Sequence, residues 1–488
     1  MTQSIFFHLY KKLTNSKFTL IFCFFILKIS ISEGQVSDKI ILDSLKKLEA
    51  RITPKGLQDQ HPFQSFITLR PVSDKDSVAL ELAEYQYENG ARVFLMNTPY
   101  EKNIIHLKAI SWGGYSLYDD EEDRKLVYSS PQIAKELGVG NLNREELAYL
   151  LNGVKEGNNE INFKINELNE EINIQFGGEQ FESVLKVIYN YFTNFTTQNK
   201  KSFDDTSPNL KFVYELMMSK INAADDFKMR LTDEYLIKEN HNFPNFYNPE
   251  KFARAYQLFK ERFADGGDFT FVFVGDFSKA QNMVGVFNKY IGNLPKDDKG
   301  EFCKFLPTNL KKFPDQKFEK CDNFCTIHYE DSIQYNVENC LNAFFMQNLF
   351  SYKIKINQNS ENYNELNCRM YNRIVHYPFS KLVFDIYYLP QFEKVTENRI
   401  TELQSKALTN SELEKINQYV LSEYKKKYEK PSVYIEYLTQ NIMEGLELDK
   451  LFKRGEFEAY LKTFTPEKIQ QLAKQYWNVE RRTRISQN

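Results

Sequence analysis

Two spacings of hydrophobic residues alternate along most of this chain. Apolar residues recur at helical spacing in some stretches, and in others they alternate with polar residues or form short apolar runs. The second pattern predicts one strand directly after the Asn89-Gly90 turn. It predicts further strands at 104–111, 160–165, 171–176 and 269–274. The helical pattern predicts helices at 40–51, 122–137, 143–151, 181–192, 209–222 and 249–263, with a further helix ending near Tyr290.

The same alternation of helical and strand patterns continues in the second half of the chain. Apolar runs predict strands at 325–329 and 381–388. Helical spacing predicts helices at 338–354, 395–408, 412–428 and 466–476, the last of them begun by Thr465-Pro466. Strand pairs interleaved with long helices predict an α+β fold, with two sandwich domains that each pack a mostly antiparallel sheet against helices.

Chain length and local composition set the predicted domain boundaries. At 488 residues the chain is too long for one ordinary core. Asn293-Leu294-Pro295 and the charged run after it favour a boundary at that point. We predict a signal-peptide-like segment at 1–34, a linker at 35–78, a first domain at 79–296 and a second domain at 297–488.

The N-terminal segment resembles a secretory signal. Lys11, Lys12 and Lys17 precede the apolar run 18–27, which is too short to span a hydrocarbon core of about 30 Å as a helix. A signal peptide predicts a secretory or extracellular protein. An organelle such as the mitochondrion, or an incorrectly assigned start, is the alternative. Asn194, in the sequon Asn-Phe-Thr, is a glycosylation candidate only if the chain is secreted.

Charge and histidine spacing exclude two kinds of site. The net charge of −3 gives no reason to expect a nucleic acid partner. The closest pair of histidines, His61 and His106, is 45 residues apart, whereas a zinc helix needs two imidazoles one turn apart. Cys321, Cys325 and His328 offer three potential ligands at unsuitable spacing with no fourth nearby, so no metal site is predicted.

Several segments resemble a known family. The stretch 261–277 (ERFADGGDFTFVFVGDF), with YIGNLP at 290–295, resembles the closing segment of a homology domain in insulinase/pitrilysin-like metallopeptidases. It is most similar to the bacterial periplasmic zinc-protease branch. WGGYSLY at 112–118 is similar to the family's strand-to-helix turn, and 176–192 and the helix begun by Thr465-Pro466-Glu467 also match. The resemblance runs from about Tyr85 to the C-terminus.

The resemblance implies a half of a protease without its zinc. The family has four homologous α+β domains in two halves that close around unfolded peptides, and the first domain carries H-x-x-E-H. This chain resembles the third and fourth domains. The helix that would carry the motif reads YSSPQIAKEL at 128–137, where only Glu136 could bind a metal. We interpret Glu136 as a solvated surface residue. Zinc is therefore expected only in a partner or upstream half. This chain is expected to bind no cofactor.

The resemblance also implies one substrate contact. In the family's C-terminal half, an arginine and a tyrosine seven residues apart hold the scissile carbonyl, and the tyrosine position falls on Tyr363. The arginine would fall near Ile356 and is missing, and Glu361 and Asn362 replace the family's glycines. No catalytic residue is predicted in this chain.

Two functions follow from these observations. The first is a C-terminal, zinc-lacking half that forms the chamber wall and assists proteolysis of unfolded peptides by a partner carrying H-x-x-E-H. Such a chain would be inactive alone. The alternative is a catalytically dead pseudopeptidase used as a binding or structural subunit, which the missing arginine favours. A truncated gene model is a third case, because 40–71 resembles the connector between the family's halves.

Overall fold

The computed structural model describes most of the chain. The described residues are 38–69, 80–152, 159–196, 204, 208, 248–297, 315–318, 325–334, 336–356, 368–375, 381–446, 448 and 456–487. The predicted signal segment 1–34 and the predicted helix 209–222 lie outside them. Among the described helices, none is long and apolar enough to cross a membrane.

The first unit, which we define as the described residues from 38 to 297, contains a seven-stranded sheet and six helices. Its strands are β1 (Phe63–Leu69), β2 (Leu80–Gln86), β3 (Arg92–Asn97), β4 (Ile104–Trp112), β5 (Asn162–Ile165), β6 (Asn169–Gly177) and β7 (Thr270–Gly275). Its helices are α1 (Asp38–Ile52), α2 (Glu121–Leu137), α3 (Arg144–Asn152), α4 (Phe181–Thr193), α5 (Pro249–Arg262) and α6 (Met283–Tyr290).

The second unit, the described residues from 315 to 487, contains a five-stranded sheet and six more helices. Its strands are β8 (Gln316–Phe318), β9 (Cys325–Gln334), β10 (Cys368–Val375), β11 (Lys381–Tyr388) and β12 (Arg482–Gln487). Its helices are α7 (Val337–Ile356), α8 (Glu393–Ser405), α9 (Asn410–Tyr428), α10 (Pro431–Glu444), α11 (Glu456–Leu461) and α12 (Pro466–Tyr476).

Both sheets are mostly antiparallel, as predicted. The first has the order β1-β2-β3-β7-β4-β6-β5, and the second has the order β10-β11-β9-β12-β8. Each contains one parallel pair, β3 with β7 and β12 with β8. The α+β prediction is confirmed: each unit packs a mostly antiparallel sheet against helices.

The first sheet buries side chains on both of its faces, and one of these faces packs against the second unit. On the central strand β7, Phe271 and Phe273 belong to the core of the first unit. Val272 and Val274 point to the opposite face and belong to a core shared with the second unit. α10 packs on that face against β4 and β7. Because both faces of β7 are buried, its sequence is a continuous apolar run rather than an alternating one.

The predicted linker contains part of the first sheet. A linker was predicted at 35–78, but β1 forms within it and pairs antiparallel with β2 from Phe63↔Gln86 to Leu69↔Leu80. Before it, α1 places Ile52 in the core of the first unit. The linker interpretation of these residues is therefore wrong. Pro54, Gln58, Gln60 and Pro62 lie in the connection between α1 and β1.

Helix starts follow the capping signals in the sequence. The Thr465 hydroxyl accepts a hydrogen bond from the Lys468 N–H at 3.2 Å at the start of α12. At α9, the Thr409 side chain accepts from the Glu412 N–H, and the Glu412 carboxylate accepts from the Thr409 N–H, which is a capping box. Lys353 of α7 also donates to Glu412, at 2.9 Å.

We expect Glu412 to contribute to acid sensitivity. The hydrogen bond from Lys353, with the one from the Thr409 N–H, lowers the pKa of Glu412 to about 2. An unfolded glutamate titrates near pH 4.3, so this stabilisation is complete above about pH 4.3 and is lost as the pH falls towards 2. The side chain is 44% exposed, so solvent screening limits its contribution to about 1 kcal/mol.

Urea unfolding between pH 3 and pH 6 measures this effect. Glu412→Gln keeps a capping side chain but removes the charge, and it is expected to be less stable than the wild type at pH 6, with a difference about half as large at pH 3. A constant difference across this range would contradict the assignment.

Candidate functional site

A groove of about 780 Å³ lies between the two units. Its floor is formed by polar residues of β4, β5 and β6, namely His106, Lys108, Asn162, Asn173 and Gln175. Its wall is formed by α7, α9 and α10, with Phe344, Tyr424, Ser432, Glu436 and Gln440. We call this space the interunit groove.

The strand register explains the polar floor. Lys108 pairs across the sheet with Asn173, which in turn pairs with Asn162, and His106 pairs with Gln175. These side chains share the sheet face that is apolar at β2, β3 and β7, where the second unit covers it. The face therefore divides into an apolar part that binds the second unit and a polar part that stays accessible.

α10 positions the wall of the groove. Pro431 stands at its first position, where the missing N–H costs nothing, and Gly445 ends it in a left-handed conformation at φ +64°. Tyr434 stacks on Tyr100 of the first unit with ring centroids 6.1 Å apart. Glu436, which is exposed, accepts a hydrogen bond from Lys108 Nζ at 2.7 Å. Ring stacking and an ion pair thus fix α10 against the first sheet.

Charges in the groove are balanced between the two signs. The side chain of Lys108 also lies 3.6 Å from the Glu171 carboxylate, so two acids neutralise one largely buried ammonium. His106 Nε2 lies 2.8 Å from Glu101 Oε2. A lone histidine within a strand is usually a packed core residue, but His106 lines the groove and is in contact with a carboxylate. A groove with amides and balanced charges suits neutral hydrogen-bonding groups better than an anion.

A free sheet edge borders the groove. β5 is the last strand of the first sheet and pairs with β6 alone among the described strands. Asn162, its first residue, is exposed and lies in the groove lining. Exposed strand edges bind extended peptides through main-chain hydrogen bonds.

A buried ion pair lies against the WGGYSLY turn. Gly113 and Gly114 follow β4, and a Cβ on Gly114 (φ +76°) would lie 2.3 Å from the Glu167 carbonyl oxygen. The Gly114 N–H donates to Glu170 Oε1 at 2.8 Å, and Arg262 Nε donates to the same oxygen at 2.7 Å. Burial raises the pKa of Glu170, and Arg262 acts in the opposite direction. The pair ties the turn to α5.

α2 occupies the position that the resemblance assigns to the zinc motif. Its residues from Tyr128 to Gln132 include no histidine or carboxylate. Glu136 was predicted to be solvated, which is wrong: its side chain is only 6% exposed, and both carboxylate oxygens accept hydrogen bonds from Arg144, at 2.7 and 2.8 Å. The start of α3 brings this arginine over the last turn of α2. These residues do not fit a zinc ion.

Nor do the other described residues offer a metal site. No group of three histidine, cysteine or acidic side chains in the described part of the chain could hold a metal ion. His328, one of the three potential ligands considered from the sequence, is buried with its Nδ1 2.7 Å from Asp385 Oδ1 on the neighbouring strand. Cys325 is buried, and Cys321 lies outside the described residues.

The remaining predicted residues are Tyr363 and Asn194. Tyr363 lies outside the described residues, which stop at Ile356 and resume at Cys368. Asn194 is exposed directly after α4, and its Nδ2 donates to Asn190 Oδ1 at 3.1 Å. The groove itself was not predicted from the sequence. Its sequence signal was the presence of polar residues in β4 and β6 on the face that is apolar in β3 and β7.

Comparisons with known proteins give a fold match and no sequence match. No family model and no curated protein matches this chain. The crystal structure of the periplasmic protease PqqL from Escherichia coli matches with a TM-score of 0.59 and 14% identity, over 89% of this chain and 48% of PqqL. This chain therefore spans about half the length of that protease.

Two shorter solved structures match over nearly their whole length. The first half of PqqL from E. coli has a TM-score of 0.61 and 13% identity, over 86% of this chain and 93% of that one. A peptidase M16 inactive domain from Pseudomonas fluorescens has a TM-score of 0.59 and 12% identity, over 83% and 98%. The chain thus has the fold of these protease halves, and the predicted resemblance is confirmed at the level of fold.

Proposed function

We propose that this chain is the zinc-lacking, C-terminal half of an insulinase/pitrilysin-like metallopeptidase, and that it forms part of the wall of a chamber for unfolded peptides. The observation that carries the proposal is the two-unit fold, which covers 98% of a peptidase M16 inactive domain. The TM-scores to that domain and to the first half of PqqL are similar, 0.59 and 0.61. The choice of the C-terminal half therefore rests on the sequence of α2, where a zinc motif is replaced by Tyr128 to Gln132.

The proposal requires a second half. A partner with H-x-x-E-H, either a separate chain or an upstream part of the same polypeptide, would bind zinc and supply the general base. PqqL is a precedent for a protease about twice as long as this chain, because this chain matches 48% of it. This chain would then bind and orient the substrate.

The interunit groove is the proposed peptide-binding surface. An extended peptide presents N–H and C=O groups along both sides, and the groove offers the free edge of β5 and the amides of Asn162, Asn173 and Gln175. These groups hydrogen-bond to the backbone of the peptide rather than to particular side chains. Such recognition suits a substrate that is selected because it is unfolded.

Blocking the groove should weaken peptide binding. Ser432 is exposed on the second residue of α10 and lines the groove, so Ser432→Trp places an indole there without removing any described hydrogen bond. We expect about tenfold weaker binding of a fluorescently labelled unstructured peptide, measured by anisotropy, which corresponds to about 1.4 kcal/mol.

The matched control is Ser411→Trp. Ser411 is exposed on the second residue of α9 and does not line the groove. This variant is expected to bind the peptide as the wild type does. Equal affinity of the two variants would exclude the groove as the peptide site.

The native assembly tests the proposed function itself. The chain is isolated from its source with a C-terminal tag, and the proteins that co-purify are sequenced by mass spectrometry. The proposal expects peptides with an H-x-x-E-H helix, in a stoichiometric partner or in the same polypeptide, and peptidase activity that a chelator abolishes. Chelator-sensitive hydrolysis by the purified chain alone would overturn it.

A binding or structural subunit is the second candidate function. The observation that favours it is Ile356, the last residue of α7, at the position where the resemblance expects an arginine. Tyr363 is the proposed substrate contact under the first candidate only. Stable association with proteins that all lack a zinc motif would favour the second candidate.

We further propose that the chain enters the secretory pathway, on the basis of the signal-like segment 1–34. The exposed Asn194 would then be available for glycosylation, in the sequon predicted from the sequence. A mass shift on treatment with an endoglycosidase, lost in Asn194→Gln, tests both statements.

A further inference from the structure

The outer edge of β1 is unusual among the edges of the two sheets. β1 is the first strand of the seven-stranded sheet and pairs with β2 on one side. No strand in the described part of the chain pairs with its other side. Its sequence, FQSFITL, has no charged residue and no proline, and its register against β2 is uninterrupted. Charges, prolines and bulges are the usual devices that prevent an edge strand from pairing with another chain.

The edge strands of the second sheet do have such devices: β8 contains Lys317, and β10 contains Arg369 and Arg373. β1 instead exposes two aromatic side chains, with Phe63 72% and Phe66 57% accessible. An uncharged strand with exposed aromatics at a sheet edge is typical of a surface that pairs with a further strand.

We propose that β1 is a self-association surface, on which a second copy of this chain pairs its own β1 in the antiparallel direction. A two-fold axis through Phe66 places Phe66 opposite Phe66 of the second copy, and Ser65 opposite Ile67 of the second copy. No like charges meet in this register, and aromatic pairs directly across strands are stabilising. The same patch serves both copies, as in other two-fold dimers.

The two-fold axis is perpendicular to the sheet. Each face of the sheet in one copy therefore continues into the same face of the second copy. Phe66 pairs across β1–β2 with Ala83, which belongs to the core of the first unit, and Ile67 pairs with Leu82, which belongs to the shared core. The two seven-stranded sheets join into one continuous sheet. A pair of seven-residue strands is a small interface of the kind found in weak, transient complexes, so the dimer is expected to dissociate on dilution.

Cysteine cross-linking tests the register. Residues directly opposite in an antiparallel pair have Cα atoms about 4.5–5.5 Å apart, within the range that a disulfide spans. Phe66→Cys is therefore expected to form a covalent dimer on mild oxidation, visible on a non-reducing gel. The wild-type chain on the same gel gives the baseline from its native cysteines.

The matched control is Phe63→Cys, which is also exposed and on the same strand. In the proposed register its two copies lie six positions apart along the strand, which is about 20 Å at ~3.3 Å per residue. We expect no covalent dimer above the baseline. Equal cross-linking of the two variants would overturn the proposed pairing.

Sedimentation velocity of the full chain tests the association itself. The wild type is expected to shift from monomer to dimer as its concentration rises. Phe66→Lys is expected to stay monomeric, whereas Val479→Lys, at a 53% exposed position on the second unit, is expected to behave as the wild type. A wild type that is monomeric throughout, or a Phe66→Lys variant that still dimerises, would overturn the proposal. Recovery of a zinc-bearing half in the native assembly would leave the proposed function intact in either case.

Discussion

Replacing Arg262 with methionine is expected to lower the free energy of unfolding by about 3–5 kcal/mol, because it leaves the Glu170 carboxylate buried without its counter-charge. The side chain of Arg262 is 6% exposed and that of Glu170 is 0% exposed. Methionine fills similar apolar volume, so the lost charge rather than a cavity dominates. Chemical denaturation at neutral pH measures the loss.

The pH dependence separates a charge effect from a packing effect. Without Arg262, the pKa of Glu170 in the folded state rises further above its unfolded value. An acid whose folded pKa is raised loses stability as the pH rises, so the deficit of Arg262→Met should be smallest near pH 4 and grow towards pH 7. A deficit that does not change with pH would contradict this account.

Two companion variants complete this test. Glu170→Gln combined with Arg262→Met removes both charges and is expected to recover much of the loss. Arg254→Met is the surface control: Arg254 lies on the same helix, is 42% exposed and donates from Nε to Asp123 at 3.0 Å. Exposed ion pairs contribute about 1 kcal/mol or less, so Arg254→Met should be nearly neutral.

Phe94→Ala is expected to cost about 3–5 kcal/mol and to loosen the second unit in particular. Phe94 is 1% exposed on β3 and belongs to the core that both units share. Its truncation leaves a cavity on the sheet face that α10 covers. Native-state hydrogen exchange should therefore show faster exchange in the helices of the second unit.

Phe271→Ala is the matched control for Phe94→Ala. Phe271 is 0% exposed on β7 but points to the opposite face, into the core of the first unit. A similar loss of stability is expected, with faster exchange in α4 and α5 rather than in α10. Identical exchange patterns in the two variants would show that the two cores do not respond separately.

Elements with strong local signals were predicted closely from the sequence. β11 occupies the predicted residues, Lys381–Tyr388, and α12 begins after Thr465 as its capping signal indicates. The Asn89-Gly90 turn also forms, with Gly90 at φ +101°. In each case the information lies within a few adjacent residues, so no distant contact is needed to decide the structure.

Elements whose structure depends on distant contacts were missed. α10 buries Tyr434, Ile435, Tyr437 and Leu438 at once, because it packs against both units, and it therefore lacks a single apolar stripe. β1, FQSFITL, has no charged residue and no strict alternation of apolar and polar residues, so its structure is decided by its pairing with β2. The interunit groove was missed for the same reason: its floor and wall come from elements more than 150 residues apart, such as β6 and α10.

The strand order of the first sheet has a consequence for synthesis of the chain on the ribosome. β7 lies between β3 and β4, yet 172 residues separate the end of β3 at Asn97 from the start of β7 at Thr270. At 5–20 residues per second, translation of that interval takes roughly 9–35 s. During this time β7 is not available to pair with β3 or β4, so we expect the facing edges of these two strands to be open to contact with other chains.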